Sequence, residues 1–219
     1  MKIRISNIVL AAALAFIAPS ISVAQSVPAA SPLRYGIVLD CSASSGVDPD
    51  YFAAAAIELV SANRPTDRTF IMSFADKDST TLEQVATDNK RYLHRALKRL
   101  PAAHGEAAII DAVYLAAAEV LAPAANPNSA LVLISDGDER SSTIKSDILL
   151  AYLRDKKIPV YVLAFANTVK KQHDPKHYEK AVEFLAMLAN ASGGKVVVAH
   201  TLDELKDHAS DIAHLLQGR

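Results

Sequence analysis

Short apolar runs separated by segments of helical periodicity constrain the fold of this chain more than any other feature. Each run has the length of a strand and is nearly continuous in apolar residues, as expected for parallel strands that are covered on both faces. The five runs are Tyr35–Leu39, Thr69–Phe74, Ala130–Ser135, Val160–Phe165 and Lys195–Ala199. Strands that alternate with helices in this way predict a doubly wound α/β sheet.

One region departs from the alternation. The segment Thr80–Ala86 follows the run Thr69–Phe74 with no helical segment between them. Two strands joined so closely form a hairpin, so Thr80–Ala86 is predicted to be an antiparallel edge strand. The expected fold is therefore a doubly wound, mostly parallel six-stranded sheet with one antiparallel edge strand and helices on both faces, in a Rossmann-like arrangement.

Helices are predicted from apolar spacing and from residues that start or stop them. Asp48 and Pro49 supply an N-cap and a proline at the first helical position, and Gly193 and Gly194 supply a stop. The later predicted helices are Arg91–Leu100, Glu106–Leu121, Ser146–Lys156, Lys176–Ala191 and Leu202–Leu216.

The first residues have the pattern of an export signal. Lys2 and Arg4 precede the apolar run Ile8–Ile17, and small residues then lead to Ala24. This pattern predicts a signal peptide over residues 1–24, cleaved after Ala24, because the apolar run is about half of the ~20 residues that span a bilayer. We expect a flexible leader over residues 25–33 and one domain over residues 34–217, in a periplasmic or secreted protein with no membrane span in the mature chain.

The charge balance limits the partners that the mature chain can bind. Removing Lys2 and Arg4 from 23 basic residues leaves 21 against 24 acidic residues, a net charge of −3. This argues against nucleic acid or an anionic membrane as the main partner, since both favour basic surfaces. The single cysteine, Cys41, allows no internal disulfide, and we expect it to be buried and inert.

Two predicted strands end on aspartates, Asp40 and Asp136. They belong to the first and fourth strands, which are neighbours at the switch point of a sheet ordered 3-2-1-4-5-6. Ser42 and Ser44 follow the first aspartate at alternate positions. Two close carboxylates repel each other unless something compensates, and hard oxygen ligands suit Mg²⁺ or Mn²⁺. The sequence therefore predicts a divalent-metal site at this point.

The motifs DCSAS (residues 40–44) and ISDGDERSS (residues 134–142) resemble those of von Willebrand factor A domains, in particular the secreted bacterial members. The resemblance extends from about Leu33 to Leu216. It implies a doubly wound fold that binds another protein through a metal site. In that family Asp-x-Ser-x-Ser comes from one loop, a Thr from a second and an Asp from a third, and an acidic side chain of the partner often completes the metal's shell.

The resemblance makes Asp40, Ser42, Ser44 and Asp136 the expected metal ligands. The family pattern Gly-Gly-Thr-Ala-Leu-Tyr-Asp-Ala falls on residues 105–112 and places Ala107 at the Thr position, where a methyl group cannot ligate. Water or Glu106 would fill the gap, and Asp138 is a further candidate ligand. We expect weaker metal binding than in a complete site; in the alternative, the site is degenerate and Asp40 and Ser42 cap local backbone groups.

The expected function is non-catalytic protein binding. The sequence has neither a Gly-x-Ser-x-Gly nucleophile elbow nor a phosphate-cradling glycine loop. An aspartyl-phosphate hydrolase using Asp40 is the main enzymatic alternative, but Ser42 stands where such enzymes carry a second Asp. The other alternative is a scaffold of the same fold that binds its partner without metal.

Three polar features have two interpretations each. Asp138, Glu139 and Arg140 form either a partner-facing rim or a charged surface loop. His173 and His177 have a spacing that metals can use, but Pro175 lies between them, and a solvated loop leading into a helix is the preferred interpretation. A basic helical face either meets an acidic partner or is only solvated. Its residues are Arg91, Arg95, Lys98 and Arg99.

Overall fold

The structure is a computed structural model that describes residues 31–43, 47–101, 105–121, 128–166 and 174–218. The predicted signal peptide, residues 25–30 of the predicted leader, Ser44 and His173 lie outside the described residues. No helix in the described ranges has a long enough apolar stretch to cross a membrane.

The described residues contain six strands and six helices. The strands are β1 (Arg34–Asp40), β2 (Arg68–Phe74), β3 (Thr80–Thr87), β4 (Ser129–Ser135), β5 (Val160–Phe165) and β6 (Val196–Ala199). The helices are α1 (Pro49–Ser61), α2 (Lys90–Leu97), α3 (Ile109–Leu121), α4 (Ser146–Lys156), α5 (Pro175–Ser192) and α6 (Leu202–Gln217).

The strands form one sheet in the order β3-β2-β1-β4-β5-β6. All neighbouring pairs are parallel except β2 and β3, which are antiparallel. The predicted fold class and strand order are therefore confirmed. We call the end of the sheet where the parallel strands finish the carboxyl edge, and the opposite end the amino edge. The switch point lies at the carboxyl edge between β1 and β4, whose first residues, Arg34 and Ser129, are in register.

Helices cover both faces of the sheet, which explains why the central strands are apolar on both sides. Ile37 and Leu39 pack into the core under α1, α2 and α6, whereas Val38 packs into the core under α3, α4 and α5. In the first layer, α2 contacts β2 and β3, α6 contacts β5 and β6, and α1 lies between these two helices in contact with both.

The helices of this first layer do not all run in the same direction. The antiparallel strand β3 ends at the amino edge, so α2 starts there and runs toward the carboxyl edge. The parallel strands β1 and β6 end at the carboxyl edge, so α1 and α6 run the opposite way. The central helix α1 is therefore parallel to α6 and antiparallel to α2.

The structure differs from the prediction at the end of one helix and at the start of another. The helix predicted over Arg91–Leu100 ends at Leu97, and the one predicted from Glu106 begins at Ile109. The backbone explains the second difference, because the Ala107 carbonyl accepts hydrogen bonds from the Arg140 and Ser141 amides, at 2.9 and 3.1 Å. These bonds hold residues 106–108 as a loop against the segment after β4.

The chain enters and leaves the domain at the amino edge. The Ser31 carbonyl accepts hydrogen bonds from Arg64 Nη2 and Asn128 Nδ2, each at 3.2 Å. At the other end of the domain, Gln217 Nε2 donates to the carbonyl of Ala62, which caps the last turn of α1. Both ends are thus fixed beside the start of β1.

Asp67 holds the first of these ends. Its buried carboxylate accepts from the Leu33 amide at 3.1 Å and from the Arg64 amide at 2.8 Å, and it pairs with the Arg64 guanidinium at 2.9 Å.

We expect Asp67→Ala to lower the free energy of unfolding by about 2 kcal/mol, because buried donors lose their acceptor. Urea unfolding measures this, with the exposed Asp78→Ala as control; equal losses in the two variants would contradict it.

Candidate functional site

Asp40 and Asp136 meet at the switch point. Asp40 is the last residue of β1, and Asp136 follows the last residue of the adjacent β4. Both side chains are buried, with relative exposures of 1% and 8%. Burial raises the pKa of Asp40 to about 7, and the nearby charge of Asp136 raises it too. The topology therefore brings together the two carboxylates that the sequence places 96 positions apart (136 minus 40).

The Asp40 carboxylate accepts three hydrogen bonds. Oδ1 accepts from the Ser42 amide at 3.0 Å and from Ser42 Oγ at 2.6 Å. Oδ2 accepts from Ser135 Oγ at 2.7 Å. These bonds lower the pKa of Asp40 and so oppose the larger effect of burial. The bond between Ser42 and Asp40 is the local capping contact expected for a degenerate site, and it also keeps the Ser42 hydroxyl next to the carboxylate.

Ser135 is a site residue that the sequence interpretation missed. Its Oγ donates to Asp40 and accepts from the Gly137 amide at 3.0 Å, so it links β1 to the loop after β4. Ser135 is fully buried at the end of a strand, directly after five apolar residues. A polar residue at that position, directly before Asp136, was the available signal.

The second predicted loop lies beside the third. Ala107 stands at the position where the family pattern has Thr. It is fully buried, and its methyl group packs in the hydrophobic core. The Glu106 carbonyl accepts from Ser141 Oγ at 2.5 Å, and the Glu106 carboxylate is 3.9 Å from Arg140 Nη1 and mostly exposed. Glu106 therefore points its charge toward Arg140 at the surface.

Gly105 permits the backbone path of this loop. Its φ is +137°, a conformation that favours glycine. A Cβ at this position would lie 2.6 Å from Asp76 Oδ2, so the loop also passes too close to Asp76 for a side chain.

Asp138 is held by two other side chains. Arg140 donates to both of its carboxylate oxygens, from Nε at 2.8 Å and from Nη2 at 2.9 Å. His177 Nε2 lies 2.7 Å from Asp138 Oδ1. The hydrogen bond and charge of Asp138 raise the pKa of Arg140, to which the charges of Glu106 and Asp136 also contribute. Asp138 is only 3% exposed, and its amide donates to Asp136 Oδ1 at 3.1 Å, so this ion-paired carboxylate is buried next to Asp136.

His177 lies in a helix, as the predicted helix Lys176–Ala191 requires, but its side chain pairs with Asp138 and is only partly solvated. Pro175 occupies the first turn of α5 and starts the helix, and the Asp174 side chain accepts from the His177 amide at 3.1 Å. The first turn of α5 then places the His177 ring on Asp138. No sequence signal predicted this contact, because the two residues are 39 positions apart.

The loop after β4 is fixed to the start of α3. Glu139 Oε2 and Ser142 Oγ both accept from the Ile110 amide, at 3.0 and 3.1 Å. Asp111 accepts from the amides of Thr143 and Ile144, each at 2.8 Å. The bonds from the Ile110 amide satisfy a donor that has no partner within the first turn of α3, and together with the bonds to Asp111 they hold the segment after β4 in place.

Cys41 lies between the site residues and is a buried free thiol. The prediction that it is buried is confirmed, with 3% relative exposure, and its amide donates to the Phe74 carbonyl at 2.8 Å. Burial raises the pKa of the Cys41 thiol to about 12, which favours the protonated form at neutral pH.

The oxygen atoms at the switch point are chemically suited to a hard divalent cation. Within the described residues, no group of three or more His, Cys, Asp or Glu side chains is placed to hold a metal ion. A cation at this point would therefore need serine hydroxyls beside the two carboxylates, and Ser42 is in position to provide one. Carboxylate and hydroxyl oxygens are hard ligands of the kind that Mg²⁺ prefers.

The geometry defines a doubly wound α/β domain with two buried aspartates at its switch point, and comparison with known proteins shows what it is similar to. Residues 36–139 match the family described as von Willebrand factor type A domain. This match confirms the predicted resemblance for residues 36–139, the region that runs from within β1 to just past β4 and contains both Asp40 and Asp136. No curated protein sequence matches the chain significantly.

Solved structures share the fold at low sequence identity. An aerotolerance-related membrane protein from Bacteroides fragilis is 17% identical, with a TM-score of 0.62, and the alignment covers 84% of this chain and 99% of that one. A von Willebrand factor type A protein from Catenulispora acidiphila is 14% identical, with a TM-score of 0.68, covering 86% of this chain and 43% of that one. The pilus adhesin SpaC from Lactobacillus rhamnosus GG is 12% identical, with a TM-score of 0.66, covering 85% and 30%.

Proposed function

We propose that this chain is an exported, non-catalytic protein-binding module whose crevice at the carboxyl edge takes a divalent cation. One observation carries the proposal. Asp40 is buried beside Asp136, and its raised pKa shows that the hydrogen bonds around it do not compensate for burial and repulsion. A divalent cation between the two carboxylates would remove both penalties.

The proposed ligands of Mg²⁺ or Mn²⁺ are Asp40, Ser42, Ser44 and Asp136. Water takes the place of the missing Thr at Ala107, and an acidic side chain of the partner protein completes the shell. Asp138 is committed to Arg140 and His177, so we assign it to the wall of the crevice and not to the metal. Glu106 is exposed and close to Arg140, which favours a role at the rim.

The related structures support a binding role outside the cytoplasm. They include a membrane protein, a pilus adhesin and a matrix protein of the mussel byssus. The predicted signal peptide, residues 1–24, is consistent with export. Ser42 in place of a second acidic residue supports a function without catalysis.

Calorimetric titration with MgCl₂ and MnCl₂ tests the cation. We expect saturable binding to the wild-type protein and none to Asp136→Ala, because that variant lacks one of two carboxylates. The exposed Asp78→Ala is the matched control and is expected to bind as the wild type does. A flat titration of the wild type would reject the metal.

Capture of proteins from the native cell envelope, with and without EDTA, then separates the remaining alternatives. A partner that EDTA releases supports the metal-dependent module, whereas a partner retained in EDTA supports the metal-independent scaffold. Turnover of an aryl phosphate that is lost in Asp40→Asn would instead support the hydrolase.

A further inference from the structure

The helical layer formed by α2, α1 and α6 separates positive from negative charge. α1 lies in the middle, α2 is on one side and α6 on the other. Residues 90–99, which include α2, contain five cations and no acidic residue. α6 contains four acidic residues and one lysine. The two outer helices of one surface are therefore oppositely charged.

The cations of α2 form a stripe that points away from the protein. Arg91, Arg95 and Lys98 are spaced by four and three residues, so they lie on one side of the helix. All three are exposed, and the opposite side carries the fully buried Leu93 and Leu97. None of these three cations forms an ion pair with another residue in the described ranges.

This arrangement is unfavourable for α2 by itself. Like charges four residues apart destabilise a helix, and cations in the first turn oppose the helix dipole. The first turn of α2 has no acidic residue, although it carries Lys90 and Arg91. By contrast, the exposed cations Lys176 and Lys180 of α5 are interspersed with Glu179 and Glu183.

The acidic residues of α6 form a matching stripe. Asp203, Asp207 and Asp211 are each four residues apart and exposed, opposite the buried Leu205 and Ile212. The first and last residues of the stripe on α2 are seven positions apart and those of the stripe on α6 are eight positions apart, which corresponds to about 10 and 12 Å along a helix. The two stripes therefore have nearly equal lengths.

We infer that this layer binds a second copy of the same chain. The two copies are related by a two-fold axis parallel to α1, which places α2 of each copy against α6 of the other. α2 and α6 run in opposite directions, so they meet as antiparallel helices. An axis across the three helices would place α2 on α2 and α6 on α6, where like charges repel.

The charge pattern favours a second copy over other partners. An anionic membrane or an acidic peptide would be attracted to α2 but repelled by α6. Moreover, Leu93 and Leu97 are buried in the core, so α2 has no free apolar face to insert into lipid. A copy of this chain carries both stripes at the required spacing, and symmetric pairing of one patch with itself is the commonest form of protein dimer.

Exposed apolar side chains on the same layer add contact area. Tyr92 of α2, Tyr51 of α1 and Leu215 of α6 are 49%, 41% and 41% exposed. The Arg95 guanidinium lies 5.8 Å from the centre of the Tyr92 ring.

The proposed contact between the two copies does not involve the metal. Because the two-fold axis is parallel to α1, the proposed crevices at the carboxyl edges of the two copies point in the same direction.

Sedimentation velocity of the full chain at low and at high NaCl tests the dimer. We expect a dimer at low salt that dissociates as salt screens the stripes. The acidic variant, with Arg91→Glu, Arg95→Glu and Lys98→Glu, is expected to be monomeric. The basic variant, with Asp203→Lys, Asp207→Lys and Asp211→Lys, is expected to be monomeric too.

Mixing the two variants distinguishes the proposed pairing from a loss of folding. In an equimolar mixture each changed stripe faces an opposite charge again, so we expect the dimer to return. Lys176→Glu, Lys180→Glu and Lys195→Glu together change the net charge as the acidic variant does, and this control is expected to stay dimeric. A wild type that is monomeric at low salt, or a mixture that stays monomeric, would overturn the proposal.

Discussion

Ala107→Thr is expected to raise the affinity of the crevice for Mg²⁺ by about tenfold, or about 1.4 kcal/mol. The substitution supplies a hydroxyl at the position where the family pattern has one, and a hydroxyl oxygen is a hard ligand. The backbone of Ala107 is held by two hydrogen bonds to its carbonyl, from the Arg140 and Ser141 amides. The new side chain would therefore start from a fixed position. Titration calorimetry with MgCl₂ measures the change.

Ala107→Val is the matched control, because valine has the shape of threonine without the oxygen. Ala107 is fully buried, so both substitutions crowd the core and are expected to lower stability by about 1–3 kcal/mol. Only the threonine variant gains affinity if the oxygen is responsible. Equal Mg²⁺ affinities for the two variants would contradict the proposed location of the cation.

Asp40→Asn is expected to stabilise the metal-free protein while abolishing its response to Mg²⁺. Folding raises the pKa of Asp40 from 3.8 to about 7. The folded state therefore holds this proton more tightly, and the resulting stability is present below pH 3.8 and lost as the pH rises through about 7. The full difference corresponds to about 4 kcal/mol. Asparagine does not ionise, and its amide can serve Ser42 and Ser135 as acceptor and donor.

Urea unfolding in EDTA between about pH 4 and pH 8 tests this expectation. The advantage of Asp40→Asn over the wild type is expected to be about 2–4 kcal/mol at the upper end of this range and to vanish at the lower end. Adding MgCl₂ is expected to stabilise only the wild type. The exposed Asp78→Asn serves as a control, and an Asp40→Asn variant that is less stable than the wild type at pH 8 would refute the argument.

The sheet and its two aspartates could be predicted because each depends on local pattern and a topological rule. Near-continuous apolar runs indicated strands that are covered on both faces, and β1 is indeed buried along its whole length. The absence of a helix between β2 and β3 indicated the antiparallel edge. The rule for strand order at a switch point then placed Asp40 next to Asp136.

Contacts between distant loops could not be predicted in the same way. The binding of Asp138 by Arg140 and His177 depends on how α5 packs against the loop after β4. The role of Pro175 was also uncertain from the sequence, because a proline can interrupt a helix or begin one; in the structure it begins α5. The acidic stripe of α6 lies more than 100 residues after the basic stripe of α2, and only the layer order places both on one surface.

The position of the chain ends has a consequence for attachment. Leu33 and Gln217 both lie at the amino edge, beside the start of β1 and the end of α1. Any tether that precedes or follows the domain therefore joins it at the end farthest from Asp40 and Asp136. A domain immobilised through either end therefore presents the carboxyl edge, where Asp40 and Asp136 lie, away from the anchoring surface.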